Sequence, residues 1–140
     1  MKKREDIELL APAGSFEALV AAVQNGANAI YLGGQKFGAR AFAHNFDYDA
    51  LKEAVQYCHL RDVKLYVTVN TLYNHQEIDE IIPYLEYLYQ IGIDALIIQD
   101  MGLCSLIKKY FPEIEIHMST QASVRNIEGV RYFADQNIDR

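Results

Sequence analysis

Cysteine is scarce in this sequence, with two residues in a chain of 140. Cys58 and Cys104 stand far apart and form neither a CxxC clip nor a zinc-binding spacing. Two such residues also provide no disulfide framework. We therefore expect both to be buried structural thiols, and we predict no metal ligand in this chain.

Long apolar runs are also lacking, and none approaches the length of a membrane span. The basic residues 2–4 run directly into Glu5 and Asp6, without the apolar stretch that a signal peptide needs. The expected location is therefore cytoplasmic, with no membrane partner.

Basic residues are outnumbered, with 13 Lys and Arg against 19 Asp and Glu, which gives a formal charge of −6. This balance argues against a chain that grips phosphate backbones by itself, although a larger protein could still offer RNA a site. Only 3 prolines and 51% hydrophobic residues exclude disorder and indicate one globular domain over residues 1–140, with no second domain.

A short unit recurs along the chain. Residues 24–32 return as residues 90–98, with matching Gln, Gly, Asn or Asp, Ala and apolar positions, and residues 62–67 form a degenerate copy. Each copy predicts a helix that ends at a left-handed Gly, a tight turn, and a short strand buried on both faces.

Five apolar stripes at helical spacing accompany these strands, and four of them follow a possible N-cap at Ser15, Asp47, Asp100 or Asn126. In the remaining stripe, around residues 78–88, Pro83 should kink the helix or begin a second one. The strands are expected near residues 8–11, 29–32, 64–70, 95–99 and 115–119.

This βα alternation indicates an α/β fold with a parallel sheet, arranged as a (β/α) TIM-type barrel or as an open doubly wound sheet. Two details favour the barrel. No strand is followed by GxGxxG or GxxxxGK[ST], and residues 136–140 repeat the helix-to-strand turn without the strand that should follow. Since a barrel needs eight strands, we expect a barrel truncated after about five βα units.

In such barrels the chemistry lies just after each strand, and these positions are polar here. Asn70, Gln99 and Asp100 follow the third and fourth strands, and His117, Ser119 and Gln121 lie on or after the fifth. A long loop after the second strand contains Arg40.

The same segments carry a family resemblance. Residues 8–14 (ELLAPAG), 31–34 (YLGG) with 37–40 (FGAR), 94–102 (DALIIQDMG) and 117–121 (HMSTQ) resemble the N-terminal half of the peptidase U32 family, the collagenase-like proteins. The match covers nearly the whole chain in the right order.

The resemblance implies a barrel whose members are described either as peptidases or as proteins that hydroxylate RNA bases. Prephenate is implicated in some members, as is an iron-sulfur cluster held by cysteines that lie beyond these strands. Neither Cys58 nor Cys104 matches that cysteine signature. We therefore expect no cofactor in this chain and an iron-sulfur cluster in the full-length protein.

The candidate catalytic residues are Asp100 and His117, and the candidate substrate-binding residues are Arg40, Asn70, Gln99, Ser119 and Gln121. Each has a plainer explanation: Asp100 as an N-cap, His117 as a satisfied core histidine, and Arg40 as a solvated loop residue. Arg40, Asn70, Gln99, Asp100, His117 and Gln121 should face one cavity.

The leading interpretation is the N-terminal part of a protein that hydroxylates an RNA pyrimidine base. A U32-type peptidase acting on peptides is the alternative, although no HExxH, no GxSxG and no activated nucleophile can be assembled from the sequence. A third interpretation is a folding fragment without activity. Open sheet edges should also make the fragment self-associate.

Overall fold

The computed structural model describes residues 7–39 and 46–140. Five strands alternate with five helices along the chain. The elements are β1 (Leu10–Pro12), α1 (Phe16–Gln24), β2 (Ala29–Gly33), α2 (Tyr48–His59), β3 (Lys64–Val69), α3 (His75–Ile91), β4 (Ala95–Ile98), α4 (Met101–Tyr110), β5 (Glu115–Met118), a 3₁₀ turn (Thr120–Ala122) and α5 (Ile127–Asp135).

All the strands are parallel, and they lie side by side in chain order, β1-β2-β3-β4-β5. A doubly wound sheet reverses its strand order at a switch point, and this sheet does not. The buried residues of α1, α2, α3 and α4 belong to one core cluster, so these four helices cover the same face of the sheet. The fold is therefore the TIM-type (β/α) arrangement that the sequence predicts.

The two faces of the sheet have different surroundings. Alternate strand residues such as Ile30, Val67 and Ile98 pack with the helices in the main core. The residues between them face the other way and form a small second cluster of Ala29, Tyr66, Ala95, Leu10, Tyr31 and Ile97. This second face is the inner face of the barrel.

Four predicted N-caps are confirmed. The side chains of Ser15, Asp47, Asp100 and Asn126 accept hydrogen bonds from the first turns of α1, α2, α4 and α5. In contrast, no second helix begins at Pro83, because α3 is continuous from His75 to Ile91. Its capping box at Asn74 and its buried stripe hold the helix on both sides of the proline.

The last residues begin to pair with β5. The amides of Asp139 and Arg140 donate to the Ile116 carbonyl, and the Met118 amide donates to the Arg140 carbonyl. These hydrogen bonds lie beside β5, but residues 136–140 form no strand of the five-stranded sheet. None of the described helices is both long and apolar enough to cross a membrane.

Candidate functional site

A cavity of about 690 Å³ opens at the carboxyl ends of the strands. Its apolar wall comes from the inner face of the sheet, with Leu10, Tyr31 and Ile97. Its polar wall comes from strand ends and loops, with Thr68, Asn70, His117, Ser119, Gln121 and Arg140. The location agrees with the rule that barrel chemistry lies after the strands.

The structure brings together four of the predicted site residues, Asn70, His117, Ser119 and Gln121. The Asn70 Nδ2 lies 3.4 Å from Ser119 Oγ, and Ser119 Oγ accepts a hydrogen bond from the backbone N–H of Gln121 at 3.2 Å. The ends of β3 and β5, which lie on either side of β4 in the sheet, are therefore joined by side chains at the cavity wall.

Gln99 and Asp100 do not line the cavity, although the sequence analysis expected both to face it. Gln99 Nε2 donates to the Gln121 carbonyl at 3.3 Å. Asp100 caps α4, with Oδ1 accepting from the Leu103 amide at 2.9 Å and Oδ2 from the Tyr73 amide at 3.3 Å. Both carboxylate oxygens are thus used by the backbone. Arg40 lies outside the described residues.

His117 is the buried titratable group of the cavity, with 6% of its surface exposed. Its Nε2 lies 3.4 Å from a carboxylate oxygen of Glu115, and its ring packs edge-on against Tyr66. Burial lowers the pKa of His117 below its ordinary value, and the Glu115 hydrogen bond opposes this only in part. The imidazole is therefore neutral at neutral pH.

A polar network lies on the inner face beside His117. The Tyr66 hydroxyl donates to Glu8 at 2.7 Å, and Arg140 forms an ion pair with the same carboxylate. Burial pushes the pKa of Glu8 upward, but the hydrogen bonds from Arg140 and Tyr66 outweigh burial and hold it below its ordinary value. Glu8 is therefore an anion that links the start of the described chain to its last residue.

Sequence reasoning missed this network and also missed Thr68, which lines the cavity. It placed Tyr31 among the strand residues of which some line the barrel interior, but did not name it as a site residue. The signal that could have found them is the alternation of side chains along a strand, in which every second residue points to the same face of the sheet. In β2 the aromatic Tyr31 alternates with Ile30 and Leu32, which face the helices. Strands buried on both faces read as continuous apolar runs, and this hides the alternation.

The loop after β2 is anchored to the cavity rim. Phe37 has a φ of 65°, a left-handed conformation that is costly for an aromatic residue. Its carbonyl accepts from the Tyr73 hydroxyl at 2.6 Å and from Thr71 at 3.3 Å, and the Ala39 amide donates to Asn70 at 3.1 Å. Asn70 therefore positions this loop as well as lining the cavity.

The residues of this chain do not fit an iron-sulfur cluster. Cys58 and Cys104 lie on α2 and α4, buried between the helices and the sheet and away from the cavity. Burial raises the pKa of each thiol to about 11, whereas cluster ligands are thiolates. Among residues 7–39 and 46–140, no three His, Cys, Asp or Glu side chains are grouped to hold a metal ion.

Comparison with curated proteins gives relatives of two kinds. The chain is 35% identical to the tRNA hydroxylation protein P1 of Bacillus subtilis, over 95% of this chain and 32% of that protein. It is 40% identical to the 23S rRNA 5-hydroxycytidine C2501 synthase of Escherichia coli, over 92% of this chain and 19% of that protein. It is 32% identical to a collagenase of Porphyromonas gingivalis, over 92% of this chain and 31% of that protein. The chain thus spans a third or less of each relative.

Among solved structures, the U32 peptidase Mk0906 matches with a TM-score of 0.75 at 13% identity. The match covers 96% of this chain and 57% of that one. At this identity the likeness shows the fold alone. The model of the family described as peptidase family U32 matches residues 14–140, and the chain therefore belongs to that family.

Proposed function

We propose that this chain is the N-terminal part of the barrel of a U32 protein whose full-length form hydroxylates a pyrimidine base of RNA. The cavity at the strand ends is the binding site for that base. The observation that carries the proposal is the identity of 35% and 40% to two RNA hydroxylation proteins over more than nine-tenths of this chain. Because the shared region is so extensive, it includes the strands and loops that build the cavity.

The cavity suits an unpaired base. Its apolar wall offers the Tyr31 ring to a base plane, and its polar wall offers hydrogen-bonding groups such as Asn70 and Gln121 to a base edge. A space of about 690 Å³ does not admit a duplex. The target base must therefore come from a single-stranded segment or be turned out of its helix.

The net charge of −6 means that this part of the protein does not bind the phosphate backbone of the RNA. The remaining part of the full-length protein binds that backbone. That remaining part also supplies the cysteine ligands of any iron-sulfur cluster, because the thiols of Cys58 and Cys104 are unsuited to bind one. The chemistry that such a cluster supplies is electron transfer.

A U32-type peptidase is the second candidate, favoured by the collagenase relative and the family description. Ser119 and His117 lie two residues apart on the cavity wall, as a nucleophile and base could. However, Ser119 Oγ is hydrogen-bonded to the Asn70 side chain and to the backbone N–H of Gln121 rather than to the imidazole. Nucleophilic catalysis needs the hydroxyl to be hydrogen-bonded to its base, so the observed pairing favours the hydroxylase.

The test is mass spectrometry of nucleosides from cells that lack the full-length gene. We expect a hydroxylated pyrimidine nucleoside to disappear from tRNA or rRNA and to return on complementation with the intact gene. If no hydroxylated pyrimidine is lost, the proposal is wrong.

The isolated chain of 140 residues tests the third candidate, a fragment with no activity of its own. We expect it to hydrolyse no peptide and to modify no RNA, because catalytic groups act as a unit and part of the barrel is not in this chain. Activity above that of a mock preparation would contradict this expectation.

A further inference from the structure

The imidazole of His117 is surrounded by charged or titratable groups from several elements. Its own strand β5 contributes Glu115, and β3 contributes Tyr66. The segment before β1 and the residues after α5 complete the set, with Glu8, Asp139 and Arg140. Of these groups, Glu115, Glu8 and Arg140 act on the charge of the ring, and Tyr66 packs against it.

Glu115 faces one ring nitrogen. A neutral imidazole has one N–H donor and one acceptor nitrogen, and the hydrogen bond of one nitrogen decides which is which. Here the Glu115 carboxylate lies 3.4 Å from Nε2, and a carboxylate only accepts hydrogen bonds. The arrangement favours the tautomer with the proton on Nε2, which leaves Nδ1 as the acceptor.

Tyr66 fixes the plane of the same ring. The two rings meet edge-on, with centroids 4.6 Å apart and an interplanar angle of 78°. The Tyr66 ring is itself held, because its hydroxyl donates to Glu8, which Arg140 also binds. Tyr66 is almost completely buried, so it has little freedom to turn away from His117.

We propose that Glu115 and Tyr66 are positioning residues for His117. Glu115 accepts a hydrogen bond from the Nε2–H group and Tyr66 fixes the ring plane, so that Nδ1 is offered to an N–H or O–H group of a ligand in the cavity. This inference rests on the part of the proposed function that makes the cavity a binding site, and it does not require that the ligand be RNA.

The direction of the pKa of His117 agrees with this role. Burial lowers it, while the hydrogen bond and charge of Glu115 and the charge of Glu8 raise it and the charge of Arg140 lowers it. Because burial dominates, the ring keeps its acceptor nitrogen at neutral pH.

The test is NMR of the histidine ring nitrogens in this chain across a pH titration, with His117 assigned by comparison with H117Q. In the wild type we expect the Nε2–H tautomer at neutral pH. In E115A we expect loss of that single tautomer and a further fall of the His117 pKa. E115Q retains an acceptor oxygen, and we expect it to restore the Nε2–H signature.

The same titration tests Tyr66. Y66F keeps the ring and should leave the tautomer unchanged, whereas Y66L uncovers the imidazole and should shift the His117 pKa upward. Tyr31→Leu is the matched control, since Tyr31 pairs in register with Tyr66 on the neighbouring strand and makes no ring contact with His117 among the described residues.

An unchanged tautomer and pKa in E115A would overturn the role of Glu115, and an unchanged pKa in folded Y66L would overturn that of Tyr66. Glu115 is half exposed, so E115A tests the proposal even if Y66L does not fold. The experiment uses no RNA, so its failure leaves the nucleoside test of the proposed function standing.

Discussion

At the scale of single residues, two tyrosines near the β2 loop, the partly buried Tyr73 and the buried Tyr84, have opposite hydrogen-bonding states. The Tyr73 hydroxyl donates to the Phe37 carbonyl at 2.6 Å. The Tyr84 hydroxyl is buried and has no hydrogen-bond partner among the described residues, next to a cavity of about 30 Å³. A buried polar group without a partner costs stability, whereas a paired one contributes to it.

We therefore expect the two Tyr→Phe substitutions to change stability with opposite signs. Y73F should lose about 1 kcal/mol of the free energy of unfolding, and Y84F should be neutral or gain up to about 1 kcal/mol. Urea unfolding monitored by circular dichroism measures both, and each variant is the control for the other. A loss in Y84F equal to that in Y73F would mean that the small cavity holds a water bonded to Tyr84.

Asp100 can be tested in a way that separates capping from catalysis. D100A removes the acceptor for the Leu103 amide and should cost about 1 kcal/mol of stability, while D100N should keep most of the cap. In the full-length protein, D100N should also keep its activity if capping is the only role of this residue. A stable D100N that abolishes the proposed RNA hydroxylation would instead support the catalytic role predicted from the sequence.

His117 should make stability depend on pH. Its pKa is lowered in the folded state, so between that value and the ordinary value of about 6.5 the unfolded chain binds more protons. Stability is then full above about 6.5 and falls as the pH drops through this interval. Thermal melts from about pH 7 to about pH 5 should show a smaller loss for H117Q than for the wild type. Equal losses would contradict a lowered pKa.

At the scale of elements, the repeated turn between a helix and the next strand carries a side chain that bonds to the neighbouring strand. Gly26, Gly92 and Asn137 all have positive φ, as the repeat predicts. Two residues after each of them, an Asn or Asp side chain accepts from a backbone amide at or just before the start of the preceding strand. Asn28 accepts from Leu9, Asp94 from Leu65 and Asp139 from Ile116, at 2.7–2.8 Å.

This arrangement gives a prediction for Asp94. D94A leaves the amide of buried Leu65 without its acceptor and should cost 1 kcal/mol or more, at about the level of an unsatisfied buried donor. D94N should recover most of that loss, since an amide oxygen also accepts. Glu86→Ala, an exposed acid on α3 without a described partner, is the control and should change the unfolding free energy little. A D94A variant as stable as the control would show that the bond contributes nothing.

The elements were largely predictable from the sequence, and the site was predictable only in part. Apolar periodicity and caps such as Ser15 and Asp47 identified the helices, because these signals are local. The boundaries of β1 were missed by one or two residues, since hydrogen bonding between distant segments decides where a strand begins. The Glu8, Tyr66 and Arg140 network was not predictable, because contacts across as many as 132 residues leave no local pattern.

At the scale of the whole molecule, five strands leave the sheet open, whereas eight would close it. β1 forms one edge, and at the other edge the backbone of Asp139 and Arg140 bonds to β5. Apolar side chains are exposed in both parts of the chain: Leu9 is 54% exposed beside β1, and Ile127 and Val130 on α5, the helix that follows β5, are 60% and 53% exposed.

We therefore expect the isolated chain to associate into dimers or larger assemblies. An exposed apolar surface of a few hundred Å² is worth several kcal/mol when covered, at roughly 25 cal/mol per Å². Light scattering at micromolar concentration measures the assembly, and charged substitutions locate it.

V130E and L9K should shift the equilibrium toward the monomer if α5 and the β1 edge form the contact. Leu60→Lys is the control, because Leu60 is 82% exposed in the turn before β3, at the opposite ends of the strands from the cavity. A wild-type chain that is monomeric and melts cooperatively would contradict this expectation and would show that the open sheet needs no partner.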